Sequence, residues 1–372
     1  MRRVAMRMGI VTLAVAALGV AASAQGTAAA TEHAPQTTNA QFERRAVARP
    51  LSEELKAFAG GATQAQWLGY AVPAALQERS DCWGNYNGGW HDGACGICHI
   101  EGNKEGDAIT VSGKTVKLEG PKLVTILYRA ENHALTRIHI APEGCTLDAG
   151  GLKFTWLENV KPVESVSYLA GIVQRNDFDD HGDHLGNEAL TAIALQGDPS
   201  AEKALESFVA PGEPEALRKK AVFWLGSAGG KDGLAKLAEL AKSDASTEVR
   251  SQVAFAMSVS HEEGAIDDMI RMAHDDPSAH VRGQALFWIA QKAGKKASAT
   301  ITGAIENDPD TEVKKKAVFA LSQMPKDEGV PKLIEVAETN RNPEVRKQAM
   351  FWLGQSNDPR ALEFFEKVLA AK

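Results

Sequence analysis

Four cysteines occur in 372 residues, all between Cys82 and Cys145. A disulfide-dense scaffold is therefore excluded for the C-terminal half, which must hold itself together by packing. Long apolar runs are just as scarce. One, from about Gly9 to Ala22, follows Arg2, Arg3 and Arg7 and ends in Ala22-Ser23-Ala24, and no second span follows it. That arrangement reads as a secretory signal peptide over residues 1–24, with Gln25 as the expected mature N-terminus, and it excludes a polytopic membrane protein. Positive charge is missing as well: the formal charge of −7 becomes −10 when the three leader arginines are removed, which argues against nucleic acid as a partner. No phosphate loop, nucleophile elbow or Ser-His-Asp spacing is present, so no catalytic residue is assigned and catalysis is not expected.

What the sequence does contain is a repeat. AVFWLG (Ala221–Gly226) returns as VAFAMS, ALFWIA, AVFALS and AMFWLG, with Phe223, Phe255, Phe287, Phe319 and Phe351 each thirty-two residues apart, and ALTAIA (Ala189–Ala194) is a divergent first copy. A first helix in each unit opens at Leu185, Leu217, Val249, Val281, Val313 and Val345. A second is marked by Leu205, Leu237, Met269, Ile301, Leu333 and Phe365. Breakers such as Asp276-Pro277, Asp308-Pro309 and Asn342-Pro343 separate the units. This predicts an all-α solenoid of about six helical hairpins over residues 176–372, each burying its apolar face on its neighbours. Trp224, Trp288 and Trp352 alternate with Ala192, Ala256 and Ala320, which predicts large side chains interdigitating with small ones in the core.

Ahead of the repeats, residues 25–50 are rich in Ala, Thr, Gln and Arg and read as a disordered tether. Residues 51–175 read as a small Cys-containing α+β domain. LVTILY and LTRIHI form one expected hairpin, residues 109–118 another, and Pro162 to Val173 an amphipathic helix with Val163, Val166, Leu169 and Val173 on one stripe.

The repeat units resemble HEAT repeats of the short, phycobilisome-lyase-like bacterial kind, through their Asp-Pro turns, the Val-Arg pairs at Val249-Arg250, Val281-Arg282 and Val345-Arg346, and the Ala-x-Phe-x-Leu text. Asp244, Asp276 and Asp308 stand six residues before Arg250, Arg282 and Lys314, as the acidic and basic ladder positions of such units do. The resemblance implies a curved solenoid that binds other macromolecules. The deoxyhypusine hydroxylases of that family need several His-Glu pairs to hold iron, whereas His261-Glu262 stands alone. The segments Trp67–Pro73, Cys82-Trp83 and Cys145–Leu169 resemble a module that precedes HEAT repeats in secreted bacterial proteins.

The candidate sites follow. On the second helices, Lys236, Asp268, Thr300 and Lys332 occupy one varying position of the period and are the expected protein-binding residues of the concave face. Cys82, Cys95, Cys98 and Cys145 are disulfide candidates, with three possible pairings. The alternative is electron transfer through a covalent haem c at Cys95 and Cys98 with His99 on the iron; otherwise no cofactor is expected. Asp180, His181, Asp183 and His184 form a weak metal candidate beside their plainer reading as a helix N-terminus. Taken together, the sequence is read as an exported scaffold, periplasmic or extracellular, that binds another protein.

Overall fold

The computed structural model describes residues 34–75, 83–86, 89–92, 97–101, 123–175, 184–292 and 295–370. In chain order the strands are β1 (Thr37–Thr38), β2 (Gln41–Ala46), β3 (Gln66–Pro73), β4 (Trp83–Tyr86), β5 (Gly89–Asp92), β6 (Ile97–His99), β7 (Leu123–Glu131), β8 (Ala134–Pro142), β9 (Thr146–Asp148) and β10 (Lys153–Glu158). Helices α1 (Leu51–Gly61) and α2 (Pro162–Arg175) belong with them. The expected hairpin over residues 109–118 and most of the linker 176–183 lie outside the described residues.

A five-stranded sheet in the order β2-β10-β3-β7-β8 forms the centre of the N-terminal module, with β2 and β3 both parallel to β10 and the other pairs antiparallel. Its two faces follow from period-two alternation. Leu68, Tyr70 and Val72 of β3, with Val124, Ile126 and Tyr128 of β7, face the helices. Trp67 and Leu127, with Phe154 and Trp156 of β10, face a second core that also holds residues of the small sheet β1-β9-β6. The β7–β8 turn uses Asn132 and Asn-like His133 geometry, both at positive φ (51° and 64°), as a two-residue hairpin turn requires. Among the helix-facing residues, the Tyr70 hydroxyl shares hydrogen bonds with Tyr128 Oη (2.8 Å) and Ser165 Oγ (2.7 Å), tying the sheet to α2.

Two expectations need correction here. Residues 34–46, expected within the disordered tether, supply β1 and β2. Parallel pairing of β1 with β9 and of β2 with β10 engages their backbone, Phe42 packs edge-on against Phe154 at 5.4 Å, and Arg45 reaches the buried Glu54 at 2.7 Å. Val163, expected on the buried stripe of α2, is 52% exposed; Val166, Leu169 and Val173 are buried as expected.

The C-terminal part is six helical pairs, α3 (His184–Ala194) with α4 (Pro199–Phe208), α5 (Glu215–Ala228) with α6 (Gly230–Ser243), α7 (Thr247–Val259) with α8 (Ala265–Asp275), α9 (Ala279–Lys292) with α10 (Lys295–Asn307), α11 (Thr311–Gln323) with α12 (Lys326–Thr339), and α13 (Pro343–Gln355) with α14 (Pro359–Ala370). Their starts are written in the sequence: Asp198, Ser246, Asp310 and Asn342 each accept a backbone N–H from the first turn of the helix that follows. The first helices bury a broad face, as in Val249, Arg250, Val253, Ala254, Ala256 and Met257 of α7. Close approach of α5 to α7 is set by Gly226, where an added Cβ would stand 2.2 Å from the Ala256 carbonyl oxygen.

Successive pairs are bolted together by a buried ladder. Arg250 donates from Nε (2.8 Å) and Nη2 (3.1 Å) to the Asp276 carboxylate, and from Nη1 (2.8 Å) to the Asp244 carbonyl. Arg282 repeats this with Asp308 (2.7 and 2.9 Å) and the Asp276 carbonyl (2.9 Å), and Arg218 pairs with Asp244. Burial pushes the Asp308 carboxyl up, but the Arg282 hydrogen bonds, the Asp310 N–H and the charges of Arg282 and Lys314 together hold it below its ordinary value. Glu54 is likewise held low by the Arg45 hydrogen bond, against its burial.

Apolar packing and hydrogen bonds cross the expected boundary between residues 175 and 176. One apolar core runs from Leu51 through Leu169, Ile193 and Phe208 to Phe364. The Ile138 N–H of β8 donates to Glu188 of α3 (2.7 Å), Ala75 N–H to the Leu195 carbonyl (2.9 Å) and Gly197 N–H to the Pro73 carbonyl (2.7 Å).

Gly226→Ala is expected to lower the unfolding free energy by about 1–3 kcal/mol, despite alanine's better helix propensity, because the backbone of α7 cannot yield; urea denaturation measures it. Asp276→Ala strands a buried guanidinium and is expected to cost about 3–5 kcal/mol by the same assay. Since Glu54 and Asp308 have lowered folded-state pKa values, the unfolded chain binds their protons first as pH falls. The stability they contribute is present above the ordinary carboxylate range of about 4 and lost below it, so thermal melts are expected to hold level from neutral pH and fall below about pH 4.

Candidate protein-binding surface

One rung of the ladder is missing between Arg218 and Arg346, and its absence leaves a concavity. By the thirty-two-residue period the next rung after Arg282–Asp308 pairs Lys314 with Asn340, so both the forked cation and the acid are gone. Lysine cannot reproduce the two-pronged contact of arginine. Lys314 Nζ instead turns to the Glu306 carbonyl at 2.7 Å. A groove of about 410 Å³ opens there between α10 and α12, lined by Thr302, Lys314, Lys332, Glu335, Arg341 and Asn342 among others. Thr302 Oγ1 is buried behind its wall and finds no hydrogen-bond partner among the described residues.

The four expected binding residues fall one per second helix, on α6, α8, α10 and α12, immediately before the buried Leu237, Met269, Ile301 and Leu333. All four are half-buried rather than projecting. Lys236 pairs with Glu239 at 2.9 Å, Lys332 with Glu335 at 3.1 Å, and Asp268 with Arg271, each within its own helix. Lys332 alone of the four lines the groove. At the last unit Phe364, one period after Lys332, is buried, and Phe365, which marks the second helix there, is half-buried.

Sequence reasoning missed a second surface feature. The repeated phenylalanines, read as core, are half-buried, and Phe351 is exposed. They form an aromatic ribbon along the first helices: Phe223 stacks on Phe255 at 5.8 Å, Phe255 meets Trp288 at 4.7 Å, Phe287 stacks on Phe319 at 5.8 Å, and Phe319 meets Trp352 at 4.8 Å. The tryptophans do fill space between neighbours, each lying on the phenylalanine of the preceding unit where that unit carries Ala256 or Ala320. The helical phase of Phe255, opposite Val249 and Val253 on α7, is the signal that would have placed it outside.

Cys98 and Cys145 are joined in a disulfide, with Cα atoms 5.7 Å apart. Cys82 and Cys95 lie outside the described residues. His99 Nδ1 stands 3.0 Å from Asp148 Oδ2, and the Asp148 carboxyl is held low by the Gly150 N–H, with Asn39 and His99 adding to it. A covalent haem needs the Cys98 sulfur for a thioether and His99 for the iron. With that sulfur bonded to Cys145 and that imidazole engaged on a strand, the residues do not fit the group. Asp180, His181 and Asp183 lie outside the described residues, as does the side chain of His184, which opens α3. His261 and Glu262 sit in the turn after α7, where Ser260 Oγ accepts the Glu262 N–H at 3.2 Å.

A family model for HEAT repeats matches residues 203–290 and 298–372. No curated protein matches the chain. Among solved structures, human deoxyhypusine hydroxylase in complex with glycerol is 16% identical, with 52% of this chain and 76% of that one covered at a TM-score of 0.29. The CpcE and CpcF complex of phycocyanin lyase from Nostoc sp. PCC7120 gives 17%, 55%, 80% and 0.31 in the same order. The Cnd3–Cnd2 condensin subcomplex of S. pombe gives 20%, 53%, 28% and 0.34. Likenesses this distant add nothing to the repeat match itself: the chain carries HEAT repeats, stacked as an α-solenoid behind a small module of strands and two helices.

Proposed function

We propose that this chain is an exported, non-catalytic scaffold that binds another protein through the groove between α10 and α12. The observation that carries the reading is the coincidence of the broken rung with that groove. The three rungs before it, at Arg218, Arg250 and Arg282, are each closed by an internal aspartate. Here Lys314 and Arg341 line a space that an acidic side chain of a partner would fill, taking the place of the missing aspartate. The half-buried row of Lys236, Asp268 and Thr300 extends the surface toward the N-terminal module, with a changing residue at each step, as a surface selecting one extended partner requires. Export is supported by the leader-like residues 1–24 and by the cystine at Cys98 and Cys145.

Cross-linking in the native envelope followed by mass spectrometry identifies the partner, and its affinity for the purified full chain then tests the groove. Lys314→Glu with Lys332→Glu is expected to weaken binding at least about tenfold, whereas Lys203→Glu, exposed on α4, leaves it unchanged. Rebuilding the rung with Lys314→Arg and Asn340→Asp is expected to close the groove and block the partner without loss of stability. Undiminished binding by both groove variants contradicts the proposal. For export, the intact mass of the protein recovered from its cells is expected to begin at Gln25; a chain retaining Met1 in the cytoplasm contradicts it.

A further inference from the structure

The last helical pair carries a face that the interior pairs keep covered. Five large apolar side chains are exposed among the described residues, and four of them lie here: Phe351 (54%), Leu362 (62%), Val368 (41%) and Leu369 (70%). One period earlier the counterparts of the last three are Val330, Val336 and Ala337, all buried. The aromatic ribbon has the same direction. Phe223, Phe255, Phe287 and Phe319 each receive a ring from the following unit, while Phe351 touches only the ring of its own neighbour Trp352.

The ladder is open on this side too. Arg346 repeats half of the contact made by Arg250 and Arg282, its Nη1 donating to the carbonyls of Asn340 (2.7 Å) and Arg341 (3.1 Å). On its Nε–Nη2 edge, where Asp276 and Asp308 stand in the preceding units, no carboxylate is paired among the described residues. An apolar cover, a ring and a carboxylate are therefore wanted on one face. Exposed apolar surface of this extent marks an interface rather than an idle surface.

We propose that this face is a contact between two copies of the chain, joined about a two-fold axis with α13 of each copy against α14 of the other. The charges favour a second copy as the occupant. On α13, Arg346 and Lys347 stand against one acid, Glu344. On α14, Glu363 and Glu366 are without ion-pair partners among the described residues, while its cations are already used, Arg360 by Asp358 (2.8 Å) and Lys367 by Glu338 (3.2 Å). A two-fold arrangement needs one self-complementary patch, apolar at its centre and of both signs at its rim. Crossing α13 on α14 brings Phe351, Leu362 and Leu369 of both copies together and offers Glu363 or Glu366 to the open edge of Arg346.

Sedimentation velocity of the full chain between about 1 and 100 μM is expected to show a reversible dimer. Leu362→Glu with Leu369→Glu, at positions that are exposed in the single chain, is expected to weaken it at least about a hundredfold with an unchanged far-ultraviolet helix signal. As a second arm, Arg346→Glu with Lys347→Glu and, separately, Glu363→Lys with Glu366→Lys are each expected to lose self-association, and their mixture to recover a heterodimer. A monomer at the highest concentration overturns the proposal, as does a dimer indifferent to the leucine substitutions. So does a mixture of the charge variants that associates no better than either alone, and this arm decides the matter should the leucine variant fail to fold.

Discussion

The structure depends on each helical pair being covered by the next. No single pair holds enough apolar surface to stand alone, and the first helices are so apolar in their second halves that one partner cannot hide them. The closely spaced backbones at Gly226 and Ala256, the rings passed from unit to unit and the Arg–Asp rungs are three expressions of that dependence. They act at different depths: aliphatic side chains at the centre, buried ion pairs along the turns, aromatic rings toward the outside of the first helices. The same dependence explains why the N-terminal sheet matters to the solenoid. Leu190 and Ile193 of α3 share a core with Val166 and Leu169 of α2, so the module covers the first unit as each later unit covers its predecessor.

Function, in this account, sits where the repetition is interrupted. The Arg250–Asp276 and Arg282–Asp308 rungs are satisfied internally and leave nothing for a partner to complete. Replacement of arginine by Lys314 and of aspartate by Asn340 removes one rung and leaves polar groups facing a groove. The module obeys a similar rule on a smaller scale: Tyr70 and Ser165 bond one another, Glu54 accepts from Arg45, Glu101 accepts from Trp67 and Arg129, and its cystine ties β6 to the residue before β9.

Much of the fold was legible in the sequence because a period of thirty-two residues, repeated over five phenylalanines, admits few architectures. The β7–β8 hairpin was legible through the alternation of Ile138 and Ile140 with Arg137 and His139. What escaped was what alternation and period do not encode. β2 has a single large apolar residue, Phe42, and its pairing is decided by backbone hydrogen bonds to a strand more than a hundred residues away. The half-exposure of the phenylalanines is not legible because recurrence suggests burial, whereas on a solenoid it also arises from contacts passed along the outer side. The groove was half legible: Lys332 was named for its varying position, but Thr302 and Lys314 gain their meaning only once the neighbouring rungs are seen closed.

The central claim, that sheet module and repeats form one interdependent body, is tested most directly by native-state hydrogen exchange in increasing denaturant, read amide by amide. The account predicts that β3, β7, α2, α3 and α5 share one opening free energy, with protection declining only toward α13 and α14. Separate opening of the sheet amides, in a transition that leaves α3 to α6 protected, would contradict it.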